Sequence, residues 1–251
     1  MWNPFRKSPP ASPLDPEQQQ WLDGRFAWLL DQFGHDAPAK ARVVLPTPEF
    51  FPDPYEGHLE DARAMLARIC GYMNVEPARL HLFLFDTVRG SHIHDSSAPA
   101  GLYVGDHGAG YYPAPAGARP PAQLGIEARQ LADPTALAAT FAHEVGHEIL
   151  LGQNRIAADE SDHEPLTDLL TVFLGMGIFN ANATVHDRGW SSGTWAGWST
   201  SRLGYLDQRM FGYALARFAH ARGERNPPWA RHIRSDVRAP MAQALRYLAT
   251  T

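Results

Sequence analysis

The stretch from Asp133 to Gly152, DPTALAATFAHEVGHEILLG, decides how the rest of the chain is read. Asp133 can cap a helix, Pro134 suits its first turn and Gly152 can close it, so one helix of about five turns is expected over Pro134–Leu151. Inside it stands His143-Glu144-Val145-Gly146-His147. At about 100° per residue, His143 and His147 differ by roughly 40° and lie one turn apart, so both imidazoles project from one face toward a common point. A tetrahedral ion needs that of two of its ligands. Glu144 sits about 100° from His143 and about 60° from His147, where a carboxylate reaches a metal's water without ligating the metal. Phe141, Val145, Ile149, Ala138 and Ala142 face away, so the helix should be buried on most sides. Its polar groups then need partners, because burying them unpaired costs several kcal/mol.

Outward from this helix, the N-terminal side alternates helices with short strands. Residues 1–14 hold four prolines and read as a disordered arm. A helix capped by Asp15 and ended by Gly34 carries Leu22, Phe26, Leu29 and Phe33 at helical spacing. A short strand is expected at Val43–Leu45, then a proline-rich loop to Gly57. A second helix spans His58–Met73, with Cys70 on its apolar stripe as a small core residue. Strands are expected at Leu80–Phe85, Gly101–Gly105 and Gln123–Leu131. Beyond residue 152 the pattern is helical, near 164–176, 204–222 and 236–249. The expected fold class is α+β, with three parts: the arm at 1–14, an α/β half at 15–152 ending in the HExxH helix, and a helical half at 153–251.

A catalytic zinc takes a third protein ligand and keeps one position open. The metzincin extension would need Gly at 150 and His at 153, but Leu150 and Gln153 stand there. A deformylase-like cysteine ligand is not offered either, since Cys70 belongs to an apolar face far away in sequence. The next helix contains Glu164-Pro165-Leu166-Thr167-Asp168. Glu164, Thr167, Asp168 and Thr171 share one face, opposite Leu166, Leu169, Leu170 and Phe173.

Here the chain resembles the gluzincins, the thermolysin-like zincin clan, whose pattern is HExxH followed on a second helix by ExxxD. The resemblance covers Asp133 to Gly175. It implies a zincin-like fold with a central active-site helix, zinc held by His143, His147 and Glu164, and Asp168 hydrogen-bonded to His143. Seventeen positions separate His147 from Glu164, a short link, and Pro165 follows directly. Asp162 and His163 therefore stay open as ligands from the same turn.

The activity implied is a zinc metallopeptidase in which Glu144 acts as general base on zinc-activated water and later as acid to the leaving amine. An extended peptide would pair with the edge of the Gln123–Leu131 strand. His186 and Tyr205 are the candidates for stabilising the oxyanion. The loop Ser91–Asp95 and His107 offer ligand-type side chains without defined spacing, and Trp190, Trp195 and Trp198 either cover the core or line a groove. Two other readings stay open: a protein-binding module with a structural or lost metal site, and a zinc hydrolase of a non-peptide amide.

The bulk properties fit a soluble, cytoplasmic protein with a peptide or protein substrate. The 251 residues are 44% hydrophobic and 11% aromatic, enough for a substantial core. A net charge of −5 argues against nucleic acid as a partner. The start lacks a secretory apolar run, and the longest apolar stretch, Leu169–Phe179, is too short to span a membrane. One cysteine allows no internal disulfide.

Overall fold

The computed structural model describes residues 10–86, 92–93, 104–105, 108–109, 121–183 and 206–250. Helix α1, Pro16–Phe33, starts where the Asp15 carboxylate accepts the Gln18 amide and ends at Gly34, whose φ of 99° suits a residue without a side chain. It buries Leu22, Phe26 and Leu29. After the short α2, Ala37–Lys40, the expected strand at Val43–Leu45 does not form. The Val44 amide donates instead to the carbonyl of Gly175, 3.0 Å away, so this segment seals the end of a later helix. Helix α3, Leu59–Tyr72, buries Ala62, Met65, Leu66, Ile69 and Cys70. Burial pushes the Cys70 thiol up to about 12, which makes it an inert core residue.

Strand β1, Leu80–Asp86, pairs in parallel with β5, Ala122–Glu127, in the register Leu80↔Ala122 to Phe85↔Glu127. The short β2, His92–Ile93, adds antiparallel to the other side of β1, leaving β5 at an edge of that sheet order. Val104–Gly105 and Gly108–Ala109, β3 and β4, form a separate antiparallel pair. The expected strand to Leu131 is shorter, because the chain turns into a 3-10 segment at Ala128–Ala132. That turn is tied down by Tyr55, whose hydroxyl donates to the Leu131 carbonyl at 2.9 Å.

The turn delivers the chain to α4, Pro134–His147, whose Asp133 cap accepts the Thr135 and Ala136 amides. The expected α-helix to Leu151 stops at His147. A π-helical turn takes over at Glu148–Gly152. There the buried Glu148 carboxylate folds over Gly152, where a Cβ would stand 2.3 Å from its Oε2, and accepts from Arg79 Nε at 3.1 Å. The wider turn makes room for this side chain.

Helices α5, His163–Phe173, and α6, Gly177–Ala183, follow, separated by Gly175 at φ 89°. α7, Gln208–Ala221, is capped by Asp207 and crosses α8, Ser235–Leu248, closely at Gly212. A Cβ on Gly212 would lie 2.8 Å from the Met241 amide nitrogen. One apolar cluster links α1, α3, the sheet, α4, α5, α6, α7 and α8, so the described residues form an α+β arrangement around a shared core. Among them no helix is long and apolar enough to cross a membrane.

Candidate metal centre

The last turn of α4 and the first two turns of α5 face each other, and their closeness has a local cause. Gly146, between the two histidines, leaves a gap filled by Thr167: a Cβ at 146 would stand 2.8 Å from Thr167 Cγ2. Without that gap α5 would ride further out and its acidic side chains with it. Most of the face of α5 expected to be polar is buried, with Thr167 and Thr171 fully covered and Asp168 nearly so, while Glu164 is half-buried. Each of the buried groups therefore needs a partner inside the protein.

His143, His147 and Glu164 come together at this contact. Glu164 Oε2 lies 3.0 Å from His143 Nε2 and 3.4 Å from His147 Nε2, and one ligand atom from each of the three lies within 4.8 Å of the others. Tetrahedral coordination at zinc's usual bond lengths separates neighbouring ligand atoms by ~3.3 Å. Two imidazole nitrogens and a carboxylate oxygen at these spacings could hold a metal ion.

On the outer side, His143 Nδ1 is 2.9 Å from Asp168 Oδ1, and the second oxygen of Asp168 accepts the Leu206 amide at 3.2 Å. Burial alone would push the His143 imidazole down, but the hydrogen bonds to Asp168 and Glu164 outweigh it and raise the pKa to about 10. Burial would likewise raise Glu164, yet its bonds to His143 and His147 hold it well below the usual carboxylate range. His147 Nδ1 meets the Thr167 hydroxyl at 3.3 Å.

Glu144, one residue beyond His143, is half-buried, and its carboxylate makes no hydrogen bond or ion pair with the described residues. The two other ligand candidates of the α5 turn lie differently. Asp162 is turned away and fully engaged: its Oδ2 accepts from Trp21 Nε1 at 2.6 Å and Arg25 Nε at 2.7 Å, and its Oδ1 from Arg25 Nη2 at 2.5 Å. His163 Nδ1 is buried without a hydrogen-bond partner among the described residues, 3.6 Å from Glu164 Oε1.

His186 and Tyr205 lie outside the described residues, as do Ser91, His94, Asp95, His107, Trp190, Trp195 and Trp198. Reading the sequence overlooks three features: the Thr167–His147 contact, the Leu206 amide on Asp168, and the grip of Trp21 and Arg25 on Asp162. Only the first leaves a trace in the pattern, since a threonine three residues after Glu164 falls on the same helix face. In comparisons with known protein families, curated proteins and solved structures, the chain matches none.

Proposed function

We propose that this chain is a zinc-dependent hydrolase, a metallopeptidase of the zincin type with a gluzincin-like ligand set. The observation that carries the reading is the convergence of His143, His147 and Glu164 beside a carboxylate, Glu144, that makes no hydrogen bond or ion pair among the described residues. A structural site is closed by four protein ligands, whereas this cluster offers three among the described residues. A structural site also has no use for a free carboxylate at position 144.

When bound, zinc supplies a Lewis acid that polarises a carbonyl and acidifies water. His143, His147 and Glu164 would hold it through Nε2, Nε2 and Oε2. Asp168 would keep the Nδ1 proton on His143 when the Nε2 proton leaves, so that Nε2 offers its lone pair to the metal. Glu144 takes a proton from the attacking water and returns it to the leaving nitrogen. β5 lies at an edge of its sheet order and would offer that edge to an extended peptide.

The experiment pairs metal analysis with turnover of an unfolded protein such as casein, in wild type and Glu144→Gln. Zinc retained in both with turnover lost in the variant is the expected outcome. Equal turnover in both overturns the mechanism, and a zinc-loaded wild type that cleaves amides but no peptide bond replaces the substrate class.

A further inference from the structure

A histidine that binds metal through one ring nitrogen must have the other held, so that tautomer and ring plane are set before the ion arrives. For His143 that partner is Asp168. Among the described residues His147 has no carboxylate at its Nδ1. It has the hydroxyl of Thr167, 3.3 Å away.

The single proton of that hydroxyl is already committed, since Thr167 Oγ1 donates to the carbonyl of His163 at 2.7 Å, one turn back along α5. With its proton spent, the oxygen can only accept. The hydrogen between Thr167 and His147 must then sit on Nδ1, which leaves the lone pair on Nε2, the atom 3.4 Å from Glu164 Oε2. Thr167 is fully buried, so water does not compete for the hydroxyl. Its methyl group is seated over Gly146, where a Cβ would approach it to 2.8 Å, and this contact keeps the hydroxyl from rotating away.

We propose that Thr167 is the positioning residue of His147: its methyl sets the spacing of the two helices and its hydroxyl sets the tautomer. The proposal rests on the reading of His147 as a metal ligand. It also explains why the position between the histidines that Thr167 touches is a glycine.

Thr167→Val keeps the shape and removes the hydroxyl, while Thr167→Ser keeps the hydroxyl and removes the methyl. Zinc affinity, measured by competition with a chromophoric chelator, should fall by about 10 to 100-fold in Thr167→Val and by a smaller factor in Thr167→Ser, which keeps the hydroxyl but loses the methyl that seats it. The melting temperature of the metal-free Thr167→Val protein should stay within a few degrees of wild type, which separates loss of the hydroxyl from loss of packing. In wild type loaded with cadmium, proton NMR should show the His147 Nδ1 hydrogen slowed in exchange with water. That measurement needs no variant and holds even if Thr167→Val fails to fold. Unchanged zinc affinity in a folded Thr167→Val, or a freely exchanging Nδ1 hydrogen in wild type, overturns the role of Thr167 and leaves the ligand set standing. A His147→Ala protein that binds zinc as tightly as wild type removes the ligand reading itself, and this proposal with it.

Discussion

Asp168 joins two parts of the chain through one carboxylate: Oδ1 meets His143 Nδ1 at 2.9 Å, and Oδ2 accepts the backbone amide of Leu206 at 3.2 Å. The residue that orients the first histidine thus also pins the segment leading into α7. Asp168→Ala should weaken zinc binding by about 10 to 100-fold without abolishing it. It should also cost ~1–3 kcal/mol of stability, because the buried Leu206 amide loses its acceptor. Chelator competition and urea denaturation read the two effects separately. A variant with full stability and weakened zinc would show that the Leu206 bond carries little.

His143→Ala, His147→Ala and Glu164→Ala should each release the metal, since two remaining protein ligands are too few for a stable site. Elemental analysis of the purified proteins should give about one zinc per chain in wild type and close to none in the three variants. Zinc retained in Glu164→Ala, together with loss in His163→Ala, would move the third ligand back one residue.

Glu144→Gln preserves the size of the side chain and the helix around it. Turnover should fall by ~10² to 10⁴-fold, the usual worth of a general base, while zinc content and melting temperature stay near wild type. Loss of zinc in this variant would instead make Glu144 a ligand.

Gly146→Ala tests the contact between the helices. The added methyl meets Thr167 Cγ2 at 2.8 Å, closer than real side chains approach, so α5 must shift. Overpacking of this kind costs ~1–3 kcal/mol, and the displacement of Glu164 should lower zinc affinity in the same variant. Denaturation midpoint and chelator competition should move together; movement of neither would mean that the contact is looser than the geometry indicates.

Asp162 gives a prediction in pH. Burial works to raise its pKa, but the bonds from Arg25 and Trp21 prevail and hold it below its ordinary value. A carboxylate depressed in the folded state contributes stability that is fully present above its unfolded pKa, about 3.9, and is lost as pH falls through the lower folded value. Asp162→Asn should therefore be less stable than wild type at pH 7, and the gap should close in strongly acidic solution, as read by thermal melts across pH. A gap that persists unchanged at low pH would point to packing as the cause.

Much of this site is written locally. The cap at Asp133 and Pro134, the four-residue spacing of His143 and His147, and the spacing of Glu164 and Asp168 all follow from the period of a helix, which a short stretch of sequence determines by itself. The burial of Cys70 and the helices at 16–33 and 59–72 follow from the same periodicity. What the tertiary structure decided is how the elements meet. Which residue of the turn at 162–164 faces the histidines depends on the rotation of α5 about its axis. That rotation is set by Thr167 against Gly146 and by Arg25 gripping Asp162 across 137 positions of chain. The end of the α-helix at His147 depends on where the Glu148 carboxylate finds Arg79, and the failure of Val43–Leu45 to form a strand on the Gly175 carbonyl that claims the Val44 amide. Periodicity places a side chain on a face of its own helix, but only packing between elements distant in sequence selects what that face will touch.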